Sequence, residues 1–262
     1  MVYTALITPF LNGKVDYKAL HKLIQRQIDM KADGIVILGT TGEFSTLSDY
    51  ERKKIIRFCV NNFDFYFIFG IGGNSPKHII KLGQYIRRFG NYTVLISSPY
   101  YNKATQDGLF QYFKYVIDKI QLPVIVYNIP TRTGVNIDPQ TMRQIAKLPY
   151  VAGIKEASGN IAQIQEICRT VSVPVFCGDD NLALPCYAVG CTGIISVASN
   201  INVENVKRIY QDRNLQLYQK ELPFYKSLFQ CVNPIPVKYQ LSKMGLCQNE
   251  LRLPLTPLVS EE

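Results

Sequence analysis

The sequence predicts an α/β fold, a closed (β/α)8 TIM barrel with a small C-terminal helical extension. Three observations support this prediction. Eight short apolar runs typical of β-strands recur, segments with helical spacing separate them, and 262 residues is a usual length for a single-domain α/β barrel. An open doubly wound sheet is the alternative. Such a sheet usually carries a glycine-rich phosphate loop, and GIGGN at residues 70–74 is no more than a weak glycine cluster.

The apolar runs are short and continuous, as expected for parallel strands that helices cover. In chain order they are YTALI, GIVIL, YFIFG, TVLIS, PVIVYN, VAGIK, PVFCG and GIISV. The first helical segment, residues 17–30, places its apolar residues on one face: Leu20, Leu23, Ile24 and Ile28. The later helices begin at residues typical of N-caps: Ser48, Ser75, Asp138 and Asn160.

The chain changes character after the eighth apolar run. From residue 202 to about residue 244 the pattern is helical, and NPIPVK at residues 233–238 marks a break between two helices. We therefore assign residues 1–212 to a catalytic barrel domain and residues 213–262 to the C-terminal helical extension.

Charge and cysteine content limit the partners and the location. The net charge is +9, but the basic residues are spread, with only short clusters such as ERKK and YIRRFG. Because nucleic-acid binders concentrate positive charge on one face, a solvated basic surface is the preferred interpretation, and no nucleic acid or membrane partner is expected. Seven cysteines without C-x-x-C spacing favour a reducing compartment, so we expect a cytoplasmic protein.

Lys155 stands at the end of the apolar run VAGIK, where an ammonium group without a partner would cost several kcal/mol. It is either a solvated strand-end residue or a lysine whose chemistry needs the neutral amine. In a barrel of this kind the active site lies at the carboxyl ends of the strands. The segments at those ends are GTTGE, SSPYYN, VYNIPTRTG, GIKEASGN, CGDD and GIISV.

These segments would bring lysine, tyrosine, threonine and arginine side chains to one end of the barrel. A lysine walled by apolar strands loses hydration, which favours the neutral amine that attacks a carbonyl to form a Schiff base. Tyrosine and threonine hydroxyls can pass protons, and arginine offers a planar fork to a carboxylate. The set indicates imine chemistry on a keto acid, without a metal site. Each residue alone has an ordinary structural interpretation.

The motifs GTTGE, SPYYNK, YNIPTRTG, GIKEASGN, GDD and NPIPVK follow one another over nearly the whole chain. In this the chain resembles the pyruvate-dependent class I aldolases, the dihydrodipicolinate synthase and N-acetylneuraminate lyase family. The resemblance implies that Lys155 forms an imine with pyruvate, with no other cofactor, and that Tyr127 carries protons above it. Thr41 would link Tyr127 to Tyr101, which would reach the neighbouring subunit's site and so require a homodimer.

The resemblance also implies how the substrates are held. Thr40 and Thr41 would bind the pyruvate carboxylate, Gly178 and Ile195 would line the pyruvate pocket through backbone groups, and Arg132 would hold the carboxylate of L-aspartate 4-semialdehyde. The TRTG form resembles the synthases, which make 4-hydroxy-tetrahydrodipicolinate in the first committed step of lysine and diaminopimelate biosynthesis. Another pyruvate-dependent lyase of the family, a catalytically silent binding barrel and a basic nucleic-acid binder are the alternatives.

Two features depart from the family pattern. The extension is shorter than usual for the family, which leaves a tetramer open. The resemblance also implies a candidate effector cleft for lysine at Ser45, Asp49, Arg52, Asn74, His78 and Tyr100. Lysine-sensitive members carry a glutamate where this chain has His78, so we expect weak or absent inhibition by lysine.

Overall fold

A computed structural model describes residues 1–259, and its main element is a closed barrel of eight parallel strands arranged in chain order. The strands are β1 Val2–Ala5, β2 Gly34–Ile37, β3 Phe67–Gly70, β4 Thr93–Ser97, β5 Val124–Asn128, β6 Val151–Glu156, β7 Val175–Cys177 and β8 Gly193–Ser196. Their side chains are almost all buried, as expected for strands covered by helices. The barrel prediction is confirmed and the open-sheet alternative is wrong.

A helix follows each strand. The helices are α1 Tyr17–Asp29, α2 Asp49–Asn62, α3 Pro76–Arg87, α4 Gln106–Ile120, α5 Pro139–Ile145, α6 Ile161–Thr170, α7 Ala183–Ala188 and α8 Val203–Tyr210. The predicted helix starts are found. Ser48 and Glu51 form the capping box of α2, and the Asn160 side chain accepts from the backbone N–H of Gln163 at the start of α6.

Two further helices lie beyond the barrel, α9 Leu215–Ser227 and α10 Ile235–Lys243. Helix α10 begins inside the NPIPVK motif, so the predicted break ends at Pro234, two residues into the motif. In the described part of the chain, no helix combines the length and the apolar character needed to cross a bilayer. The predicted domain boundary at residues 212 and 213 stays a prediction.

The tertiary contacts divide the chain into two compact units, residues 1–66 with 196–262 and residues 67–195. In the first unit, the C-terminal helices pack with the elements around β1. Asn200 ties them together, because its Nδ2 donates to the carbonyl of Ala5 at 2.8 Å and its own carbonyl accepts from Arg26 of α1 at 2.7 Å.

The second unit contains β3 to β7, and its strand register positions the residues of interest. Strands β5 and β6 pair in parallel with Tyr127 beside Lys155 and Asn128 beside Glu156. Successive side chains of a strand point to opposite faces of the sheet. Tyr127 and Lys155 therefore share one face, and Asn128 and Glu156 share the other.

Candidate active site

Lys155 and Tyr127 form the centre of the candidate site in the second unit. Both are buried, with 7% and 6% of their surface exposed, and Lys155 Nζ lies 4.3 Å from the centroid of the Tyr127 ring. No ion pair of Lys155 is present among residues 1–259. The buried amine therefore faces an aromatic ring and no paired carboxylate, which leaves it available for covalent chemistry.

A polar network on the opposite side of the two strands fixes their register. Asn128 Nδ2 donates to both carboxyl oxygens of Glu156, at 3.2 and 3.1 Å, and the backbone N–H of Ser158 donates to Glu156 Oε1 at 2.9 Å. Asn128 Oδ1 accepts from the backbone N–H of Ile137 at 3.0 Å. Burial raises the pKa of Glu156, although these donors act against the shift.

The sequence contained the signal for this network, because Asn128 and Glu156 directly follow Tyr127 and Lys155 at the ends of two apolar strands. Two polar residues that each follow a candidate catalytic residue on neighbouring strands indicate a second polar cluster on the opposite face of the sheet. The hydrogen bonds between Asn128 and Glu156 thus join the ends of the two strands that carry Tyr127 and Lys155.

Gly178 lies close to the stem of Lys155. A Cβ atom at position 178 would lie 2.7 Å from the Cβ of Ala157 and 3.1 Å from the Cε of Lys155. Its backbone N–H donates to the carbonyl of Glu156 at 2.8 Å. The turn after β7 can therefore approach Lys155 so closely only with a glycine at this position.

Asp179 follows in the same turn, and the charge of Lys155 acts on its carboxylate. Burial raises the pKa of Asp179 to about 6, and the positive charge of Lys155 works against this rise. The sequence motif CGDD included this residue, but no role was predicted for it. Ile195, predicted for the pyruvate pocket, is fully buried at the end of β8.

Tyr101 and Arg132 lie at the surface of the second unit. Tyr101 is 87% exposed, adopts a positive φ of 73°, and donates its backbone N–H to the carbonyl of Thr133 at 3.2 Å. A tyrosine in this backbone region is strained, so the fold holds its large side chain outward at a cost. Arg132 is exposed on the short helix Pro130–Thr133.

In the first unit, the GTTGE segment folds as tight turns after β2. The backbone N–H of Gly42 donates to the carbonyl of Gly39 at 3.1 Å, and that of Glu43 donates to the carbonyl of Thr40 at 3.0 Å. Thr41 is buried, and its Oγ1 accepts a hydrogen bond from Nδ2 of Asn233 at 3.1 Å. The predicted link from Thr41 to Tyr127 and Tyr101 stays a prediction.

A buried ion pair joins the same segment to the C-terminal extension. Lys238 Nζ lies 2.5 Å from Glu43 Oε1, and both side chains are completely buried. Glu43 Oε2 accepts from the backbone N–H of Arg252 at 3.1 Å, and Lys238 Nζ lies 4.1 Å from the ring centroid of Phe10. Burial lowers the pKa of Lys238, and the Glu43 carboxylate opposes this. The sequence does not predict this pair, because Glu43 and Lys238 are 195 positions apart in the chain.

The residues of the predicted effector cleft fall in both units. Within the first, Arg52 donates to the carbonyl of Phe44 through Nε at 3.2 Å and Nη2 at 2.8 Å and lies 3.7 Å from Asp49, and Ser45 is exposed. Within the second, Asn74 Oδ1 accepts from the backbone N–H of Tyr100, and His78 is exposed on α3. Lysine binding at these positions remains a prediction. Across residues 1–259, no group of three or more histidine, cysteine or acidic side chains has an arrangement suited to a metal ion.

Comparisons with known proteins agree with this geometry. The model of the dihydrodipicolinate synthetase family matches residues 1–262. The chain is 40% identical to a 4-hydroxy-tetrahydrodipicolinate synthase of Caldicellulosiruptor bescii, over 98% of this chain and 91% of the relative.

Two solved structures show the same fold. The dihydrodipicolinate synthase of Acinetobacter baumannii, solved with pyruvate, has a TM-score of 0.95 and 36% identity over 99% of this chain and 94% of its own. The enzyme of Cyanidioschyzon merolae, solved with lysine bound, has a TM-score of 0.94 and 33% identity over 99% and 93%. The chain belongs to the dihydrodipicolinate synthetase family.

Proposed function

We propose that this protein is a lyase that condenses pyruvate with L-aspartate 4-semialdehyde to 4-hydroxy-tetrahydrodipicolinate, in lysine and diaminopimelate biosynthesis. The observation that carries the proposal is the setting of Lys155, a buried lysine at the end of β6 that faces the Tyr127 ring and has no ion-pair partner among residues 1–259. The names of the relatives support the same reaction.

The chemistry begins when the neutral amine of Lys155 attacks the keto carbon of pyruvate. Loss of water gives a protonated imine, which withdraws electrons and lets the pyruvate methyl group release a proton. The resulting enamine attacks the aldehyde carbon of the second substrate. The amino group of that substrate then displaces Lys155 and closes the ring, which returns the free enzyme without a separate cofactor.

Hydroxyl groups would move the protons in these steps. Tyr127 is the first carrier, because its ring already lies against Lys155. In the proposed relay Thr41 connects Tyr127 to Tyr101 and then to solvent, and a positioned relay of this kind contributes roughly 10²–10⁴-fold to rate. Thr40 and Thr41 would bind the pyruvate carboxylate, Gly178 and Ile195 would line its pocket, and Arg132 would bind the carboxylate of the semialdehyde.

The proposal includes a homodimer. Tyr101 is 87% exposed in the single chain and is held outward on a strained backbone. A second subunit that receives this side chain would bury it and offset the strain, which supports a relay completed across an interface. A tetramer is left open. The seven cysteines are in the thiol form, which supports a reducing, cytoplasmic location.

Borohydride trapping tests the proposal, because the chain offers a built-in control. With pyruvate present, reduction should attach one pyruvyl unit to the peptide that contains Lys155 and leave Lys238, a buried lysine with an ion-pair partner, unlabelled. Lys155→Arg should abolish labelling, since guanidinium stays protonated. Labelling of another lysine, or none in folded protein, would refute the imine. Turnover of pyruvate with L-aspartate 4-semialdehyde, and with no other aldehyde at a comparable rate, then tests the choice of second substrate.

A further inference from the structure

Two cysteine thiols lie within reach of each other on the second unit, in a region that the proposed reaction does not use. Cys168 is in the last turn of α6 and Cys191 is in the turn before β8, and their sulfur atoms are 3.9 Å apart. The backbones also approach closely, because a Cβ atom built on Gly190 would lie 3.2 Å from the Cβ of Cys168. A disulfide needs the sulfurs at about 2.05 Å, so side-chain rotation has to close a gap of about 2 Å.

The turn that carries Cys191 is held in place. The backbone N–H of Cys191 donates to the carbonyl of Cys186 at 2.9 Å, and that of Gly190 donates to the carbonyl of Tyr187 at 3.0 Å. Gly190 has a φ of 109°, which a residue with a side chain rarely adopts. The close approach of the two thiols is therefore a feature of the backbone path between α7 and β8.

Cys168 and Cys191 are the outer two of four cysteine thiols that contact one another in a row. Cys191 also contacts Cys186, and Cys186 contacts Cys177 at the end of β7. Three of these side chains are buried, and Cys168 is the partly exposed one. An oxidant from solvent would therefore meet Cys168 first.

The electrostatics assign different roles to the two thiols. The contact with the Cys191 sulfur lowers the pKa of Cys168. The same contact, together with burial, raises the pKa of Cys191, and the contact with Cys186 opposes this rise. Thiolate is the reactive form of cysteine. Cys168 thus has the character of an attacking thiol, and Cys191 that of a resolving thiol.

We propose that Cys168 and Cys191 form a modification site, a dithiol that hydrogen peroxide oxidises to an intramolecular disulfide. The Cys168 thiolate attacks one peroxide oxygen, the O–O bond breaks, and the departing hydroxide takes a proton to become water. The sulfur of Cys191 then attacks the sulfenic acid of Cys168, and hydroxide leaves with the Cys191 proton as a second water. Two thiols and one peroxide give one disulfide and two waters.

The disulfide would protect the inner thiols. Cys177 donates through Sγ to the carbonyl of Asp179 at 3.2 Å, in the turn that packs against Lys155. Oxidation of Cys177 to an acid would disturb that turn, whereas a bond between Cys168 and Cys191 consumes the peroxide at the outer end of the row. The link would also close the chain from α6 to β8, which restricts the unfolded state and raises the thermal midpoint.

Peptide mapping tests this proposal directly on the folded protein. The protein is treated with one equivalent of hydrogen peroxide, the remaining thiols are alkylated, and the chain is digested without reduction. We expect the peptide of Cys168 linked to that of Cys191, a thermal midpoint raised by several degrees, and reversal of both by dithiothreitol. Trapping with pyruvate and cyanoborohydride, which reduces imines and leaves disulfides intact, should be retained in the oxidised sample, and its loss would overturn the protective role of the disulfide.

Variants separate the roles of the two sulfurs. Cys191→Ser should leave a sulfenic acid on Cys168 that dimedone labels, Cys168→Ser should abolish the link, and Cys231→Ser, a partly exposed cysteine elsewhere, should change nothing. The proposal is overturned if the wild-type protein links other cysteines, if Cys168 is oxidised without forming the link, or if Cys231 reacts while Cys168 does not. Mapping of the wild-type protein decides the matter even where a variant fails to fold.

Discussion

Two lysines are buried among residues 1–259, and their surroundings differ. Lys238 has no exposed surface and lies 2.5 Å from the equally buried Glu43 carboxylate, with the Phe10 ring on another side. Lys155 is 7% exposed and faces a ring as well, that of Tyr127, but it makes no ion pair among residues 1–259. A buried ammonium with a partner is a structural element, whereas one without a partner is available for chemistry.

The largest expected effect follows from removing the unpaired lysine. Lys155→Met should lower turnover by at least roughly 10³-fold, because no other group can form the imine. Its free energy of unfolding should be unchanged or higher, since methionine fills the space without a buried charge. Turnover assays and urea unfolding of the same samples measure both. A variant that lost stability together with activity would show that Lys155 has a structural role similar to that of Lys238.

The paired lysine should respond in the opposite way. Lys238→Met leaves the Glu43 carboxylate buried without its partner, so the free energy of unfolding should fall by about 3–5 kcal/mol. The double variant Lys238→Met with Glu43→Gln should recover much of this loss, because the neutral amide can still accept the backbone N–H of Arg252. A double-mutant cycle in urea measures the coupling. Equal losses in the single and double variants would mean that packing, and not charge, dominates this site.

The two lysine sites were not equally predictable from sequence. The barrel and the position of Lys155 follow from local patterns, because apolar runs, helix caps and strand ends are readable over a few residues each. The partner of Lys238 cannot be predicted in this way, since Glu43 lies 195 positions away in the chain. The same holds for the nearby hydrogen bond between Asn233 and Thr41, which are 192 positions apart. Contacts at such separations leave no periodic trace in one sequence. The row of four cysteine thiols cannot be predicted from the sequence for the same reason, since the cysteines lie on different helices, strands and turns.

Asp179 offers a smaller effect, which responds to the charge of Lys155 and not to that of Lys238. The pKa of this carboxyl is raised to about 6 by burial, so the native state binds its proton more tightly than the unfolded chain does. Its contribution to stability is therefore fully present below the ordinary pKa near 3.8 and is lost as the pH rises through about 6. At pH 8, Asp179→Asn should be more stable than the parent by up to about 3 kcal/mol, and below pH 4 the two should agree.

Unfolding in urea between pH 4 and pH 8 measures the difference in stability between Asp179→Asn and the parent. The two lysine variants test whether Lys155 influences it. Lys155→Met removes the charge that favours the ionised form of Asp179, so the pH dependence should move to higher pH. Lys238→Met should leave it in place. A parent protein whose stability increases from pH 4 to pH 8, relative to Asp179→Asn, would contradict the raised pKa.

The smallest expected effect concerns Asn233 and its hydrogen bond to Thr41 of the proposed proton relay. Asn233 precedes α10, which carries Lys238, and its Nδ2 donates to Thr41 Oγ1 at 3.1 Å. That hydrogen bond occupies an acceptor position of the hydroxyl and so directs its proton elsewhere, as the proposed relay requires. Asn233→Ala should therefore lower kcat by about 10-fold, within the range for impaired proton transfer, with little change in the KM for pyruvate. Thr41→Val removes the hydroxyl itself and should cost more. If Asn233→Ala raised KM and left kcat unchanged, Asn233 would hold the carboxylate-binding turn in place and would not orient a proton.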